Sequence, residues 1–539
     1  MAPGSARGRM RRLPRVKHHL QGSVTAEPSS DVFIGVDLGT SGVRALATDG
    51  LGRRLSMTHR SVPVLAPSRD AAEQEPRAWW EASCAALREL VGSGACFGRR
   101  IRGIALAGQM HGLVLLDRDG EPVRPAIIWL DNRSRNELRG WRERLGEGAV
   151  EGITGIPLSP GMLGPSLSWV ARNEPSNYAR AAVALLPKDY LGLRLTGVAC
   201  TDPTDATGTL LFDAAARRWS NRIVQTVGLR EALLPEVVET FAERGRVTPE
   251  AAEATGLPIG LPVICGGDDT ALAALALDLA PGRVSIAVNT GGTVCTVSNS
   301  ARMRPAAGLH TLCYARPDQW LLMQPILVAG EALIWHARVC FGTPELPAGA
   351  INTLLAEAAT APPGSDGLLF LPTLSGERTD PLGLGAFVGL RLAHTRASLT
   401  RAVLEGVAFE LRGALETVIE RETAAEIICS GGGFRSALWR QIQADVLGRP
   451  VTVVDEDQHS AIGAAWVACR GVLGPDVPAP RLSGHLLPPD DGRRVTYETA
   501  YACSAGRMPT RARSRTRSRS PPGREYPDWL CFSIKLLTG

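Results

Sequence analysis

Apolar and polar positions alternate along this chain in two periods, and the switching predicts stacked strands and helices. From residue 31 a run of apolar residues reaches Asp37, breaks at Gly39-Thr40-Ser41-Gly42, and resumes through residue 47. That pattern predicts two strands joined by a tight turn. Residues 79–90 have the spacing of an amphipathic helix, and 101–107 and 112–117 read as strands. Residues 263–267 form a short buried strand, after which Asp269 opens a helical run over 270–279. The strand–turn–strand pattern then recurs at 284–297, around Asn289-Thr290-Gly291-Gly292. Helical runs at 397–420, 436–447 and 462–470 alternate with strands at 427–430 and 451–454.

Alternating elements with an internal duplication predict an α/β fold of two related halves. A chain of 539 residues has room for two cores. The expected division is a basic extension over 1–30 without regular structure, a first domain over 31–278, a second over 279–503, and an Arg/Ser-rich tail over 504–539. The tail holds Arg-Ser-Arg-Thr-Arg-Ser-Arg-Ser at 513–520, a charge run with nothing apolar to pack, so disorder is expected there.

Charge sharpens this division. The chain carries +5 overall, yet residues 1–30 and 507–524 together exceed that sum, so the body is mildly acidic. A nucleic-acid-binding body, which needs a basic face, is not expected. No apolar run is long enough to span a membrane. Eleven cysteines are scattered without a Cys-x-x-Cys pair, as reduced core thiols in a cytoplasmic protein would be. Lysine occurs only at 17, 188 and 535, and arginine fills the other basic positions. A Walker-type phosphate loop needs Gly-Lys-Ser/Thr and is therefore excluded.

The two hairpin turns are candidate phosphate sites, because glycine allows positive φ and brings backbone N–H groups close to an anion. Gly39, Thr40, Ser41 and Arg44 belong to the first, and Thr290, Gly291 and Gly292 to the second. A third cluster, Gly431-Gly432-Gly433, lies between a strand and a helix and reads either as a nucleotide seat or as a tight connection. Asp37 ends a strand beside a phosphate turn, where a carboxylate would repel the ligand unless a cation intervened. It is read as facing Mg²⁺ through water, with a plain turn-forming role as the alternative. Asp268 and Asp269 sit where a strand becomes a helix, and either can cap it. An ionised carboxylate there can also take the proton of an attacking alcohol. Gln109-Met110-His111-Gly112 follows a strand and offers polar groups suited to a polyol.

Together these motifs resemble the FGGY carbohydrate kinases, and within them the xylulose kinases. The likeness extends over residues 32–500. It rests on 34–44, 107–112, 186–191, 202–209, 370–379, 401–407 and 430–436. The resemblance implies two ribonuclease-H-like, actin-like ATPase domains flanking a catalytic cleft that holds ATP, Mg²⁺ and a sugar. It implies Asp269 as proton acceptor, Asp37 near the metal, and Gln109, Met110 and His111 on the sugar. It implies ATP-dependent phosphorylation of D-xylulose to D-xylulose 5-phosphate, and it is compatible with a homodimer. The alternatives are a kinase for another polyol such as ribulose, or a catalytically impaired nucleotide-binding homologue. The second is motivated by departures from the family pattern: Asp268 for a small residue, Thr270 for Asn, and Asn289 for Gly. Ser166 for Lys and Leu130 for Asn depart as well, and the family's closing helix is not recognisable after Tyr501.

Overall fold

A computed structural model describes residues 31–300, 308–374, 384–419 and 424–506. The expectations for 1–30 and 507–539, and the part of the 370–379 motif from 375 on, lie outside the described residues.

The first predicted hairpin is present. β1 (Asp31–Gly39) and β2 (Gly42–Asp49) pair antiparallel, and β3 (Arg54–Ser61) extends the meander. The chain returns through helix α1 (Pro76–Val91), which buries Trp79, Leu87 and Leu90. β4 (Arg100–Gly108) then lies parallel to β1. β5 (Glu243–Arg246) and β6 (Pro262–Asp268) complete a sheet ordered β5-β6-β4-β1-β2-β3. Between β4 and β5 run the helices α2 (Pro187–Thr196) and α3 (Pro203–Thr207). Helix α4 (Asp269–Ala276) follows β6 directly.

The second half repeats the plan. β7 (Arg283–Val288), β8 (Gly292–Ser298), β9 (His310–Cys313) and β10 (Trp320–Ile326) are joined by β11 (Glu426–Ser430), β12 (Val451–Val454) and β13 (Gly484–Leu487). Their order is β9-β10-β8-β7-β11-β12-β13. As in the first sheet, a hairpin strand lies antiparallel to its partner (β7 to β8) and parallel to the strand that returns (β7 to β11). Helices α5 (Gly330–Phe341), α6 (Arg396–Ile419), α7 (Ala437–Leu447) and α8 (His459–Leu473) complete the layers. The predicted runs at 397–420, 436–447 and 462–470 correspond to α6, α7 and α8. A further helix, α9 (Arg494–Ser504), was not read from the sequence. It packs Tyr497 and Tyr501 against α6, where the Tyr497 hydroxyl donates to Glu405 and accepts from Arg401.

Helix α8 belongs to the second half in sequence but packs against β1 and β4 of the first sheet and against α4. Two glycines allow this approach. A Cβ on Gly35 of β1 would overlap the Ala461 carbonyl oxygen, and one on Gly463 of α8 would overlap the Leu272 carbonyl oxygen. The opposing atoms are backbone and cannot swing aside. Gly413 on α6 is the contrasting case, since a Cβ there would meet only the Tyr501 hydroxyl at 3.7 Å.

Gly463→Ala is expected to lower the unfolding free energy by about 1–3 kcal/mol, the usual range for overpacking. Gly413→Ala should instead raise it by roughly 0.5–1 kcal/mol through helix propensity. Urea unfolding of both variants decides the matter, and equal midpoints would contradict the close-packing account.

Candidate active site

Strand register brings the first group of residues together. Asp37 on β1 lies beside Ala107 on β4, and Ala107 lies beside Gly267 on β6. Three parallel strands thus end side by side, and the segments leaving them carry Asp37, Gln109–His111 and Asp268–Asp269.

Asp37 is 7% exposed, with Oδ1 lacking a hydrogen-bond partner and Oδ2 at 3.4 Å from an Arg44 guanidinium nitrogen. Burial raises its carboxyl above the ordinary range, and Arg44 opposes that rise. The adjoining turn is braced from behind. The Thr40 hydroxyl donates to Gln109 Oε1 at 3.1 Å and accepts from the Trp129 indole at 2.9 Å. Gln109 donates to Gln74 Oε1 at 2.8 Å, and Gln74 donates back to the Thr40 carbonyl at 2.9 Å. Gln109, expected to face a sugar, therefore has its amide engaged in holding the first turn. Nothing in the sequence marked Gln74 or Trp129, because their partners are distant in the chain.

Met110 and His111 are buried at the same strand end. His111 takes φ 73°, and its Nδ1 lies 2.8 Å from the Gly208 carbonyl, which can only accept, so Nδ1 carries the proton. A side chain on Gly208 would press on that ring, at 2.7 Å from Nδ1.

Asp268 and Asp269 divide their roles. Asp268 is the N-cap of α4, with Oδ1 accepting the Ala271 N–H at 2.7 Å. It is fully buried, and burial above all pushes its pKa to about 6. Asp269 is half-buried and accepts from the Thr270 hydroxyl at 3.3 Å. Its surroundings, then the charges of Asp268 and Asp37, hold its carboxyl well above the ordinary range. The Cys295 thiol on β8 is pushed up to about 12 by burial and then by Asp268, with Asp269 contributing. Ser460, on α8, donates to the Asp269 carbonyl at 3.0 Å.

The second turn and the glycine cluster meet in the other sheet, where Ala287 of β7 is in register with Ser430 of β11. Asn289 Oδ1 accepts the Gly432 N–H at 3.4 Å, joining the two segments. Asn289 does not take positive φ, so its tolerance of that region is not what admits it here. Gly291 is likewise not at positive φ. It is needed because a Cβ would stand 2.8 Å from the Ile326 carbonyl oxygen. Gly431 does need its freedom, at φ 91° and with the Val288 carbonyl 2.6 Å from a would-be Cβ. At the position of the family's lysine, Ser166 is buried with its hydroxyl unpartnered, and Leu130 is exposed.

Residues 32–276 match the N-terminal domain of the FGGY family of carbohydrate kinases, and residues 284–472 match the C-terminal domain. A xylulose kinase of Klebsiella pneumoniae is 36% identical over 477 residues, covering 86% of this chain and 96% of that protein. One of Escherichia coli (strain K12) is 35% identical over 446 residues, covering 81% and 89%. The solved structure of a xylulose kinase from Rhodospirillum rubrum has 32% identity and a TM-score of 0.80, covering 88% of this chain and 98% of that one. The chain belongs to the FGGY family of carbohydrate kinases. It is a phosphotransferase of the kind that draws on ATP, built as two α/β domains each with a mixed sheet.

The Asp268 environment has a consequence for stability. At pH values below its ordinary 3.8 the folded and unfolded chains both hold the proton. As pH rises through about 6 the fold must ionise a buried carboxyl, and stability is lost. Asp268→Asn keeps the cap acceptor and removes the charge. Its melting temperature should exceed that of the parent at pH 8, by the equivalent of roughly 1–3 kcal/mol. The gap should close toward pH 4, and thermal melts across this range would refute the account if the gap were constant.

Proposed function

We propose that this chain phosphorylates D-xylulose with ATP, giving D-xylulose 5-phosphate and ADP. The observation that carries this reading is the register of the first sheet, in which β1, β4 and β6 end side by side, so that Asp269 follows the same sheet end that carries Asp37 and precedes Met110 and His111. A base in that position can accept a hydroxyl proton as the sugar oxygen bonds to the γ-phosphorus. The bond from that phosphorus to the bridging oxygen breaks in the same step, and ADP leaves. The xylulose kinases at 36% and 35% identity support xylulose as the acceptor, as does the Gln109–Gly112 segment.

In this reading Met110 and His111 contact the sugar, and Gln109 positions the turn beside it. Gly39, Thr40, Ser41, Thr290, Gly291 and Gly292 present backbone N–H groups to the phosphates, with Arg44 nearby. Gly431, Gly432 and Gly433 seat the adenosine. The Thr40 hydroxyl is already engaged by Gln109 and Trp129, so its backbone is what remains for phosphate. Magnesium suits the donors present. Asp37 offers a buried, unpartnered carboxylate oxygen, while among the described residues no group of three His, Cys, Asp or Glu forms a cage. That fits an ion held chiefly by phosphate and water. Such an ion would offset charge developing on the transferred group. No helix among the described residues is long and apolar enough to cross a membrane, and the ten cysteines there are free. A cytoplasmic enzyme fits both.

Each residue that departs from the family pattern at 268, 270 and 289 has a hydrogen-bonding place in the fold. Asp268 caps α4, Thr270 hydrogen-bonds the base, and Asn289 ties the second turn to Gly432.

Coupled ADP-release assays across D-xylulose, ribulose, glycerol and gluconate test the proposal. D-xylulose should give the highest kcat/KM, and Asp269→Asn should lower kcat by about 10²–10⁴-fold. Because the base must be ionised, activity should fall as pH drops through a pKa above the ordinary carboxylate range. Absence of sugar-stimulated release, or full activity in Asp269→Asn, would refute it.

A further inference from the structure

The turn that carries Asp269 is held only in part by its own sheet, through Gly267 beside Ala107 and Asp268 beside Gly108. β6 slips register against β4 between Ile264 and Gly267, so Cys265 and Gly266 together oppose one residue. Such a bulge re-aims a strand end at the cost of ladder hydrogen bonds. Gly266 takes φ 78°, and its N–H turns to the Thr240 carbonyl at 3.1 Å. The Asp268 N–H turns to the Thr204 hydroxyl at 3.0 Å.

Both supports converge on Asp202. Its Oδ2 accepts from the Thr204 hydroxyl at 2.6 Å, the Thr204 N–H at 2.9 Å and the Thr240 hydroxyl at 3.2 Å. Its Oδ1 lies 3.0 Å from Lys188 Nζ. That ammonium also meets Asp189 at 2.6 Å and Asp205 at 3.5 Å, and Arg244 backs Asp189 at 3.4 Å. Lys188, Asp202, Thr204 and Asp205 are all fully buried. Burial alone would favour neutral lysine, but Asp189 and Asp202 above all overcome it and keep Lys188 charged, while burial holds the Asp205 carboxyl itself well above the ordinary range. Packing above the cluster is tight. A Cβ on Gly267 would stand 2.6 Å from the Thr204 hydroxyl, and one on Gly108 would stand 2.9 Å from Lys188 Cβ.

Lysine is one of three in a chain that otherwise uses arginine, and it is the only one among the described residues. Lys188 donates to Asp189 and forms ion pairs with Asp202 and Asp205, and a compact ammonium suits acids arranged around a point, whereas a planar guanidinium presents a broad fork. The exception to the chain's composition falls where that geometry is required.

We infer that Lys188, acting through Asp202 and Thr204, is the positioning residue that fixes the Asp268–Asp269 turn. None of the three touches the reacting atoms. The inference rests on the reading of Asp269 as the base, but the position of the turn can be measured without it. Lys188→Met leaves buried carboxylates unpaired and can prevent folding, so the test uses Thr204. Thr204→Val removes the hydroxyl at equal volume, and Thr204→Ser keeps it.

In hydrogen–deuterium exchange on the full chain, the peptide covering 266–270 should exchange faster in Thr204→Val than in the parent, and Thr204→Ser should restore it. With the best sugar of the panel, Thr204→Val should lower kcat by about 10²-fold, the cost of a misplaced catalytic group, while KM for ATP stays within about two-fold. Thr204→Ser should recover most of that loss. Parent-like exchange and kcat in Thr204→Val would overturn the inference. So would a loss that Thr204→Ser does not recover, since packing alone would then explain it. Should Asp269→Asn remain active while Thr204→Val loosens the turn, the base assignment fails and the relay stands.

Discussion

The contact on which the rest of this molecule depends is the seat of helix α8 on the first sheet. The two halves have separate sheets, and in sequence they follow one another. In space the last long helix of the second half lies on β1 and β4 and against α4. Its approach is set by backbone touching backbone at Gly35 and Gly463, where even a methyl group would collide. Seated this way, α8 is part of the packing of the first half, and the strand ends of the first sheet lie against the segment that enters it. Ser460, in the first turn of that helix, reaches the carbonyl of Asp269. The helix that comes from the second half of the sequence and lies on the first sheet thus also touches the residue proposed to do the chemistry.

From that crossing outward, the site is arranged as a polar surface with a polar backing. The groups that would meet ligands are few and lie at strand ends. Behind each stands a hydrogen-bonded support. Gln74, Gln109 and Trp129 hold the first turn, Asn289 links the second turn to the glycine cluster, and the Lys188 cluster holds the turn of Asp269. Supports of this kind matter because phosphoryl transfer leaves the protein little covalent work. What it supplies is position and a fixed electrostatic field. The raised proton affinity of Asp269 comes from the same arrangement, since its desolvation and its acidic neighbours are consequences of where the strands end.

Much of this architecture was legible in the sequence, and the parts that were not share a physical reason. The duplicated hairpins, the helices α6, α7 and α8, and the strand that delivers Asp269 all show in local periodicity, which needs only neighbours in the chain. Local reading also assigned the glycine turns to phosphate, although Gly291 turned out to serve close packing rather than positive φ. Long-range polar pairing was invisible. Gln109 looked like a sugar contact because its partners Gln74 and Thr40 lie 35 and 69 residues away. The stretches 186–191 and 202–209 were noticed for family likeness, yet nothing local could show that Lys188 and Asp202 meet beneath β6. Helix α9 lay next to an arginine-rich run and was masked by it, though Tyr497 and Tyr501 mark its buried face.

The departures from the family pattern acquire meaning from the same geometry. A second carboxylate beside the one proposed as base looks harmful if both face the same space. Here successive residues at a helix start diverge. Asp268 turns inward to cap α4, while Asp269 remains half-buried with Thr270 as its hydrogen-bond donor. The added charge is not silent, because it raises the proton affinity of its neighbour and is itself held near a pKa of about 6. The substitution therefore tunes the site without dismantling it, and the buried cations at 188 and 244 are what keep so many acids tolerable in one place. Asp189, Asp202 and Asp205 meet at Lys188, and Thr204 links Asp202 to the strand end that carries Asp268 and Asp269. Burial holds the carboxyls of Asp205, Asp268 and Asp269 above the ordinary range, and the Lys188 ammonium is the compact positive centre set among Asp189, Asp202 and Asp205.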